Sequence, residues 1–325
     1  MRVIAIVNGY TGALCLQELV DQGDEVVAVV TSPGDPRPGA DPKTSVKLTA
    51  DRNFLPVYQP PITEVNNPQF VEKLRKLEPD LIVSMHYAQI FKEPLLRLPK
   101  LGCVNEHPSR LPAGQGMTPS YWHMIIGDDR NWITLHYLDP GIDTGDIIAQ
   151  GSVEITPDDT GMTTSRKLSE EGHRIFAENL PLIREGRAPR IPQKEWGRMH
   201  GIKRSYVSWK PTHACMDWRK SAKMLALHVR TLTVPRGQST WVGPAYTSLG
   251  GKKVTVYSAQ VLEDSRWCPK EATPGEVLGL GGGGLLVMTG EGILQISDAD
   301  IEGAEGQGLA GFLPYLATTL PIRLG

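Results

Sequence analysis

Short runs of Val, Ile and Leu recur through the first half of the chain, and segments with a helical spacing of apolar residues separate them. RVIAIV (2–7) and EVVAVVT (25–31) flank TGALCLQELVDQG (11–23), in which apolar residues repeat at intervals of three and four. DLIVSM (80–85) and GCVNEH (102–107) continue the series. Near-continuous apolar strands alternating with helices are typical of a parallel sheet covered on both faces. The sequence therefore predicts an α/β fold with a Rossmann-like, mostly parallel sheet.

The same patterns predict the other elements of this half. A Pro- and Gly-rich loop covers 32–43, and the segment 117–127 begins as a loop and becomes a helix. The remaining predictions are strands at 55–59, 132–139 and 146–155, and helices at 67–79 and 161–186.

The pattern changes after about residue 190. The segment 187–210 contains seven Lys and Arg but one acidic residue, Glu195, and shows no regular periodicity. We interpret it as an irregular, basic interdomain linker. The predicted boundaries are 1–190 for the first domain, 191–215 for the linker and 216–325 for the second domain.

The second domain is predicted to be a small β-barrel, similar to an OB fold. A helix at 217–232 with Asp217 as its cap precedes several short strand patterns divided by turn residues. GLGGGGLL (279–286) has no following Lys-Ser/Thr and no helix, so a hairpin turn fits it better than a phosphate-binding loop. The predicted strands are 240–248, 252–261, 275–279, 284–289 and 292–297.

Composition narrows the functional classes. The chain has 325 residues, 40% of them hydrophobic, and a net charge of −2, which favours neither a nucleic-acid coat protein nor a disordered chain. No apolar run approaches the length of a signal-peptide core or a membrane span, so we expect a cytoplasmic protein. Its four cysteines (Cys15, Cys103, Cys215 and Cys268) form no CxxC pair, and no metal site is predicted.

Polar chemistry is concentrated in VNEHPSRLPAGQGMTPSYW (104–122), just past a predicted strand, and in DPGIDTGD (139–146), past another. Ligands of parallel sheets bind at the carboxyl ends of the strands, so we expect Asn105, His107 and Asp143 to meet there. An imidazole can move protons, a carboxylate can orient it, and an amide N–H can stabilise an oxyanion. Such a set suits acyl transfer, although a lone histidine at a strand end is more often structural.

Two motifs sharpen this interpretation. NEHPSRLP (105–112) and HYLDPGIDTGDIIAQ (136–150) together resemble the signature of the folate-dependent formyltransferases. Three further segments, MDWRKSA (216–222), TPGEVL (273–278) and MTGEGILQI (288–296), resemble the C-terminal barrel that the tRNA, sugar-nucleotide and dehydrogenase-type members carry. The resemblance covers nearly the whole chain.

The resemblance implies a formyl transferase with 10-formyltetrahydrofolate as co-substrate and a primary amine as acceptor. Asn105 would hold the oxyanion, and His107 would move protons with help from Asp143. A second histidine, the segment SMHYAQIF (84–91) and the loop around Asp143 would contact the folate. The folate-binding residues implied in this way are Met85, Tyr87, Ile90, Phe91, His136, Asp139, Gly141 and Thr144.

One position departs from the family pattern. Most members carry Tyr-Arg where this chain has Gly114-Gln115. We expect an open, neutral pocket at this position, with the alternative that Arg110 swings in and restores the positive charge.

Three acceptors fit the sequence. A small amine, such as an amino sugar on a nucleotide, is favoured because the loop 32–43 contains few basic residues, with Arg37 and Lys43 among them. Methionyl-tRNA is the alternative that the basic linker favours. Water as acceptor would make the protein a hydrolase of the folate, and a non-catalytic folate- or RNA-binding module is a further alternative. The sequence predicts no oligomeric state.

Overall fold

A computed structural model describes residues 1–36, 42–236, 242–263, 271–316 and 322–325. The chain forms two compact units. Unit 1 consists of Met1–Pro119, Asn131–Val153 and Ser165–Val207, and unit 2 consists of Ser120–Arg130, Glu154–Thr164 and Ser208–Gly325. Cys268 and Arg37 lie outside the described residues, as does part of the predicted loop 32–43.

The described strands are β1 (Arg2–Val7), β2 (Glu25–Val30), β3 (Val57–Tyr58), β4 (Leu81–Met85), β5 (Cys103–His107), β6 (Gln115–Gly116), β7 (Arg130–Tyr137), β8 (Ile147–Glu154), β9 (Tyr206–Val207), β10 (Ala245–Leu249), β11 (Lys252–Val261), β12 (Glu276–Gly281), β13 (Gly284–Met288), β14 (Ile293–Ile301) and β15 (Ile322–Arg323). The described α-helices are α1 (Gly9–Asp21), α2 (Val46–Arg52), α3 (Pro68–Arg75), α4 (Glu93–Leu96), α5 (Pro119–Ile125), α6 (Gly161–Arg184), α7 (Gln193–His200), α8 (Ala222–Leu232) and α9 (Leu313–Leu316).

The large sheet has the strand order β3-β2-β1-β4-β5-β7-β8. Pairs from β3 to β5 are parallel, as predicted, because each strand is followed by a crossover. The pair β5–β7 is antiparallel, with Asn105 opposite His136 and His107 opposite Thr134. The prediction of a mostly parallel sheet is therefore confirmed, and its direction reverses beside the strand that carries the polar cluster.

Apolar side chains cover both faces of this sheet. On one face, Val3 and Val7 pack in a buried cluster with Leu16 of α1 and Phe176 of α6. On the other face, the alternate β1 residues Ile4 and Ile6 pack in a second buried cluster that includes residues of α3 and α4. The near-continuous apolar strands of the sequence are explained by this burial on two sides.

The basic segment 187–210 is not irregular, contrary to our interpretation of it. It forms α7, which follows Pro192 and is capped after His200 by Gly201, with φ of +67°. Gly197 is buried within it, and Tyr206–Val207 pair with Gln115–Gly116 as β9 and β6. A proline before a helix and a glycine after it were available signals, and the high charge obscured them.

Unit 2 contains an antiparallel sheet of order β10-β11-β14-β13-β12-β15. Leu249, at the end of β10, bridges Leu324 just past β15, so the two outer strands meet and close the sheet into a barrel. The glycine-rich segment is a hairpin turn between β12 and β13, as predicted. The first two residues of the predicted strand 240–248 lie outside the described residues.

The predicted cap of the helix in unit 2 is wrong. α8 begins at Ala222, and the hydroxyl of Ser221 accepts a hydrogen bond from the Met224 amide. Asp217 instead pairs with Arg219. In the part of the chain that the structure describes, no helix has the length and apolar character that crossing a membrane requires.

Candidate active site

Asn105 lies on β5 directly opposite His136 on β7. His136 donates from Nδ1 to the carbonyl oxygen of Tyr137 at 2.7 Å, so its Nε2 is free to accept from Asn105 Nδ2 at 3.2 Å. Burial, and after it the neighbouring His107 ring, lowers the pKa of His136 to about 4. A neutral His136 therefore fixes which way the Asn105 amide points, and the second N–H of that amide is directed elsewhere.

His107, two residues along the same face of β5, is 5% exposed. Its Nε2 donates to the carbonyl oxygen of Gly114 at 2.8 Å, and its Nδ1 lies 3.4 Å from Oδ1 of Asp143. Both ring nitrogens thus face oxygen acceptors, an arrangement that a protonated imidazole satisfies at both ends. The distance to Asp143 is longer than an ordinary hydrogen bond, so Nδ1 is the nitrogen less tightly engaged.

Asp143 lies in the loop 138–146 that follows β7, with φ of +52°. The other oxygen of its carboxylate accepts from the Gly116 amide at 3.0 Å. Within the same loop, Asp139 Oδ1 accepts from the Gly141 amide and from the Thr144 hydroxyl at 3.0 and 2.6 Å. A Cβ at Gly141 would lie 1.9 Å from that hydroxyl, so the turn requires glycine.

The predicted meeting of these residues occurs, but not for the reason given. Because β7 runs antiparallel to β5, Tyr137 at its end pairs with Val104, near the start of β5. The loop after β7 therefore leaves from the opposite edge of the sheet and folds back to bring Asp143 to His107. The rule for parallel strands explains the place of His107 but not that of Asp143.

The segment after β4 lies at the same edge as the end of β5, because these two strands are parallel. Met85 is fully buried, and Tyr87 packs edge-on against Phe91 with ring centroids 6.2 Å apart. Burial raises the pKa of Tyr87 to about 12, and its hydroxyl has no hydrogen-bond partner within the described structure. Ile90, by contrast, is 55% exposed. Tyr87 and Phe91 both belong to the buried cluster that contains Ile4 and Ile6.

Two expectations about Gly114 and Gln115 are wrong. Gly114 has φ of +73°, and a Cβ there would lie 2.9 Å from the Cβ of Ser109, so no open volume surrounds it. Gln115 is 2% exposed, and its side-chain amide is engaged inside unit 1 rather than presented to an acceptor.

Arg110 does not point toward the cluster as a replacement charge. Its guanidinium lies over the ring of Trp132, 4.2 Å from the ring centroid. The guanidinium therefore makes a cation–π contact with the indole ring of Trp132.

Sequence reasoning did not predict the three side chains that support the Asp143 loop. Gln115 and Gln193 both donate to its backbone carbonyl, at 3.0 and 2.7 Å, and Arg204 donates to Gln115 at 2.9 Å. Gln193 and Arg204 lie in the segment taken for a linker, so periodicity could not place them in the site. The one available signal was Gln115 itself, which departs from the family pattern.

The fold is a Rossmann-like sheet that brings an amide, an imidazole and a carboxylate together. This combination is typical of an enzyme that transfers an acyl group from a donor to an acceptor. The "Formyl transferase" family model matches residues 1–180, and the model "Formyl transferase, C-terminal domain" matches residues 209–313. The chain therefore belongs to the formyl transferase family.

Full-length relatives agree with the family models. A methionyl-tRNA formyltransferase of Pelotomaculum thermopropionicum is 32% identical over 315 residues, covering 96% of this chain and 95% of the relative. Another, of Geotalea daltonii, is 34% identical over 320 residues, covering 96% of each chain.

Solved structures share the fold at lower identity. WlaRD, a sugar 3N-formyl transferase solved with dTDP and 5-N-formyl-THF, aligns with a TM-score of 0.64 at 19% identity over 93% of this chain and 97% of its own. An N-formyltransferase of Helicobacter canadensis, in complex with folinic acid and dTDP-3-aminofucose, aligns with a TM-score of 0.61 at 18% identity over 91% of this chain and 98% of its own.

Proposed function

We propose that this protein transfers the formyl group of 10-formyltetrahydrofolate to the primary amine of a small molecule, most simply an amino sugar on a nucleotide. The observation that carries the reaction class is the geometry of Asn105, His107 and Asp143. These side chains, from one strand and one folded-back loop, converge with both ring nitrogens of His107 facing oxygen atoms.

In this proposal the folate supplies the formyl carbon, and its N10 leaves as the amine of tetrahydrofolate after receiving the proton that His107 took from the attacking amine. Asn105 donates one N–H to His136, and its second N–H is available for the negative charge that develops on the formyl oxygen. His107 takes the proton of the attacking amine at Nδ1, and the adjacent Asp143 carboxylate stabilises the resulting imidazolium. Tyr87 and Phe91 would hold the pterin.

The distribution of charge supports a small acceptor. Residues 208–325 carry eleven Lys and Arg and ten Asp and Glu, so this part of the chain has almost no net charge with which to bind a polyanion. In the segment 187–210, three of the seven cations have partners within unit 1. Arg187 pairs with Glu185, Arg190 stacks on Tyr137, and Arg204 donates to Gln115.

Methionyl-tRNA is the second candidate acceptor, and the relatives favour it. The two full-length relatives described above, at 32% and 34% identity, are methionyl-tRNA formyltransferases. Exposed cations that would serve this acceptor are Lys194, Arg198 and Lys203.

One assay separates these possibilities. The purified protein is incubated with 10-formyltetrahydrofolate and, separately, an amino-sugar nucleotide, methionyl-tRNA or buffer alone, and products are identified by mass spectrometry. We expect a formylated amino sugar. Faster formation of formyl-methionyl-tRNA would overturn the small-acceptor assignment. Formation of formate and tetrahydrofolate in buffer alone would indicate a hydrolase. No turnover with any partner would overturn the catalytic proposal.

The catalytic assignment is tested with His107→Ala. Turnover should fall by about 100-fold or more, the usual scale for an acid–base group, with folate binding little changed. Near-normal turnover would contradict the role given to His107.

The tRNA alternative is tested by replacing Lys194, Arg198 and Lys203 with glutamine. If tRNA is the acceptor, each lost phosphate contact lowers the log–log salt dependence of binding by about 0.7–0.9. With a small acceptor, the KM of the triple variant should match that of the wild type. Arg204 is left intact because its contact with Gln115 would confuse the result.

A further inference from the structure

The backbone carbonyl of Asp143 is held by two glutamine side chains. Gln115 Nε2 donates to it at 3.0 Å and Gln193 Nε2 at 2.7 Å. The same Gln193 nitrogen also donates to the carbonyl of Gly145 at 2.9 Å. We propose that Gln115, Gln193 and Arg204, here called the glutamine clamp, are positioning residues that hold Asp143 against His107 during formyl transfer.

The direction of every bond in the clamp is set from two ends, by Arg204 and by the loop carbonyls. A guanidinium can only donate, so Arg204 Nε fixes Oε1 of Gln115 as its acceptor, at 2.9 Å. Nε2 of Gln115 must then face the Asp143 carbonyl and Oε1 of Gln193, the latter at 3.0 Å. That bond in turn turns Nε2 of Gln193 toward the loop. The clamp therefore has one orientation, which the guanidinium and the carbonyl acceptors fix together.

Asp143 needs such support because of its backbone. A φ of +52° is uncommon for a residue other than glycine and persists only where the surroundings hold it. Two bonds within the loop run from the Gly141 amide and the Thr144 hydroxyl to Asp139 Oδ1, and neither involves Asp143. The clamp supplies the missing restraint from Gln115 and Gln193, which are 2% and 7% exposed.

The position of the carboxylate follows from that of the backbone. Asp143 Oδ2 accepts from the Gly116 amide, and Gly116 follows Gln115 in β6. The clamp and the carboxylate contact therefore join the same two segments, and Oδ1 lies 3.4 Å from His107 Nδ1. A displacement of about 1 Å in such a group can lower a rate by about 100-fold.

This inference rests on the proposed function for its catalytic part, so the first experiment does not depend on activity. Hydrogen exchange is measured by mass spectrometry on the segments 113–118 and 138–146 in the wild type, in Gln193→Leu and in the isosteric Gln193→Glu. The Gly116 amide reports on Asp143 directly because it donates to the Asp143 carboxylate.

The barrel offers a matched control. Gln295 Nε2 donates to the carbonyls of Gly281 and Gly282, and Gln260 donates to Gln295 Oε1, as Gln115 does to Gln193. Gln295→Leu therefore removes the same kind of buried amide from unit 2. We expect faster exchange at 113–118 in both Gln193 variants, with β1 unchanged, and wild-type exchange there in Gln295→Leu. Wild-type protection at 113–118 in the Gln193 variants would overturn the proposal.

The second experiment tests coupling to Asp143. Gln193→Leu should lower kcat by about 10- to 100-fold with little change in folate KM, because a displaced Asp143 carboxylate no longer supports His107 in the transition state. In an Asp143→Asn background, the same change should cost less than about 2-fold. Multiplicative effects of the two substitutions would show that Gln193 acts independently of Asp143 and would overturn the proposal.

If the wild-type enzyme formylates no amine, the proposed function fails, and the exchange data still decide whether the clamp holds Asp143.

Discussion

Replacing Glu106 with glutamine should make the stability of the protein less dependent on pH. Glu106 lies on β5 between Asn105 and His107, but its side chain points to the opposite face of the sheet. It is 2% exposed, its Oε1 accepts from the Cys15 thiol at 3.7 Å, and its Oε2 has no partner within the described structure. Gly172 of α6 packs so close that a Cβ there would lie 2.4 Å from Oε2.

Burial raises the pKa of Glu106 from its usual 4.5 to about 8, against a smaller lowering effect of the Cys15 hydrogen bond. The folded protein therefore holds a proton at neutral pH that the unfolded chain releases. Stability from this group is fully present below pH 4.5 and is lost progressively as the pH rises to about 8. At about 1.4 kcal/mol per pH unit, Glu106 lowers the free energy of unfolding by about 3 kcal/mol at pH 7 and by about 5 kcal/mol above pH 8, relative to its value at low pH.

Glu106→Gln keeps the shape and removes the titration. The free energy of unfolding is measured by urea denaturation at pH 5, 6, 7 and 8, followed by far-UV circular dichroism. The absolute offset between variant and wild type also contains the hydrogen bonds of the new amide, so the informative quantity is its change with pH. We expect the variant to gain about 3–4 kcal/mol relative to the wild type between pH 5 and pH 8.

Difference infrared spectroscopy provides an independent check, because a protonated carboxyl group has its own C=O band. That band should be present in the wild type at pH 7 and absent from Glu106→Gln. Glu25→Gln, an exposed carboxylate at the start of β2, controls for the change in net charge. A constant offset in stability from pH 5 to pH 8, together with no protonated carboxyl band, would refute the reasoning.

Three further predictions follow from the surroundings of Asp143 and of Arg110. Gly141→Ala should destabilise the protein by about 1–3 kcal/mol, measured by urea denaturation, because its Cβ would meet the Thr144 hydroxyl; Gly34→Ala, with open space around it, is the matched control and should be nearly neutral. Gln115→Arg should lower Tm and kcat and leave the amine profile unchanged, because it buries a charge in the clamp; an altered profile with normal Tm would restore the acceptor-pocket interpretation. Arg110→Leu should leave the acceptor KM within about 2-fold and lower stability by about 0.5–1 kcal/mol through the lost contact with Trp132; a strongly raised KM would contradict this.

The sequence predicted the sheet well because burial on both faces leaves a strong pattern. β1, β2 and β4 are largely apolar runs, and they and β5 lie within one or two residues of their predicted bounds. Two short sequence signals, the ends of α7 and the cap of α8, were overlooked because stronger patterns lay beside them. The charge of 187–210 obscured α7, and Asp217 was preferred to Ser221 because the apolar spacing was extended too far toward the N-terminus.

The direction of β7 and the role of Gln115 could not be predicted, for a shared physical reason. The spacing of apolar residues along a strand is the same whether its neighbour runs parallel or antiparallel, so it does not indicate where the loop after β7 begins. The family motif placed Asp143 near His107 without indicating the path of the chain. A loop that must fold back from the far edge of the sheet, with Asp143 at positive φ, needs an anchor outside its own sequence. Gln115 comes from the segment after β5, and Gln193 and Arg204 come from the segment after α6, so these anchors are brought together only by the fold. In this chain Gln115 on β6 accepts a hydrogen bond from Arg204 on the segment beside it, so the positive group lies behind the amide and not next to Asp143.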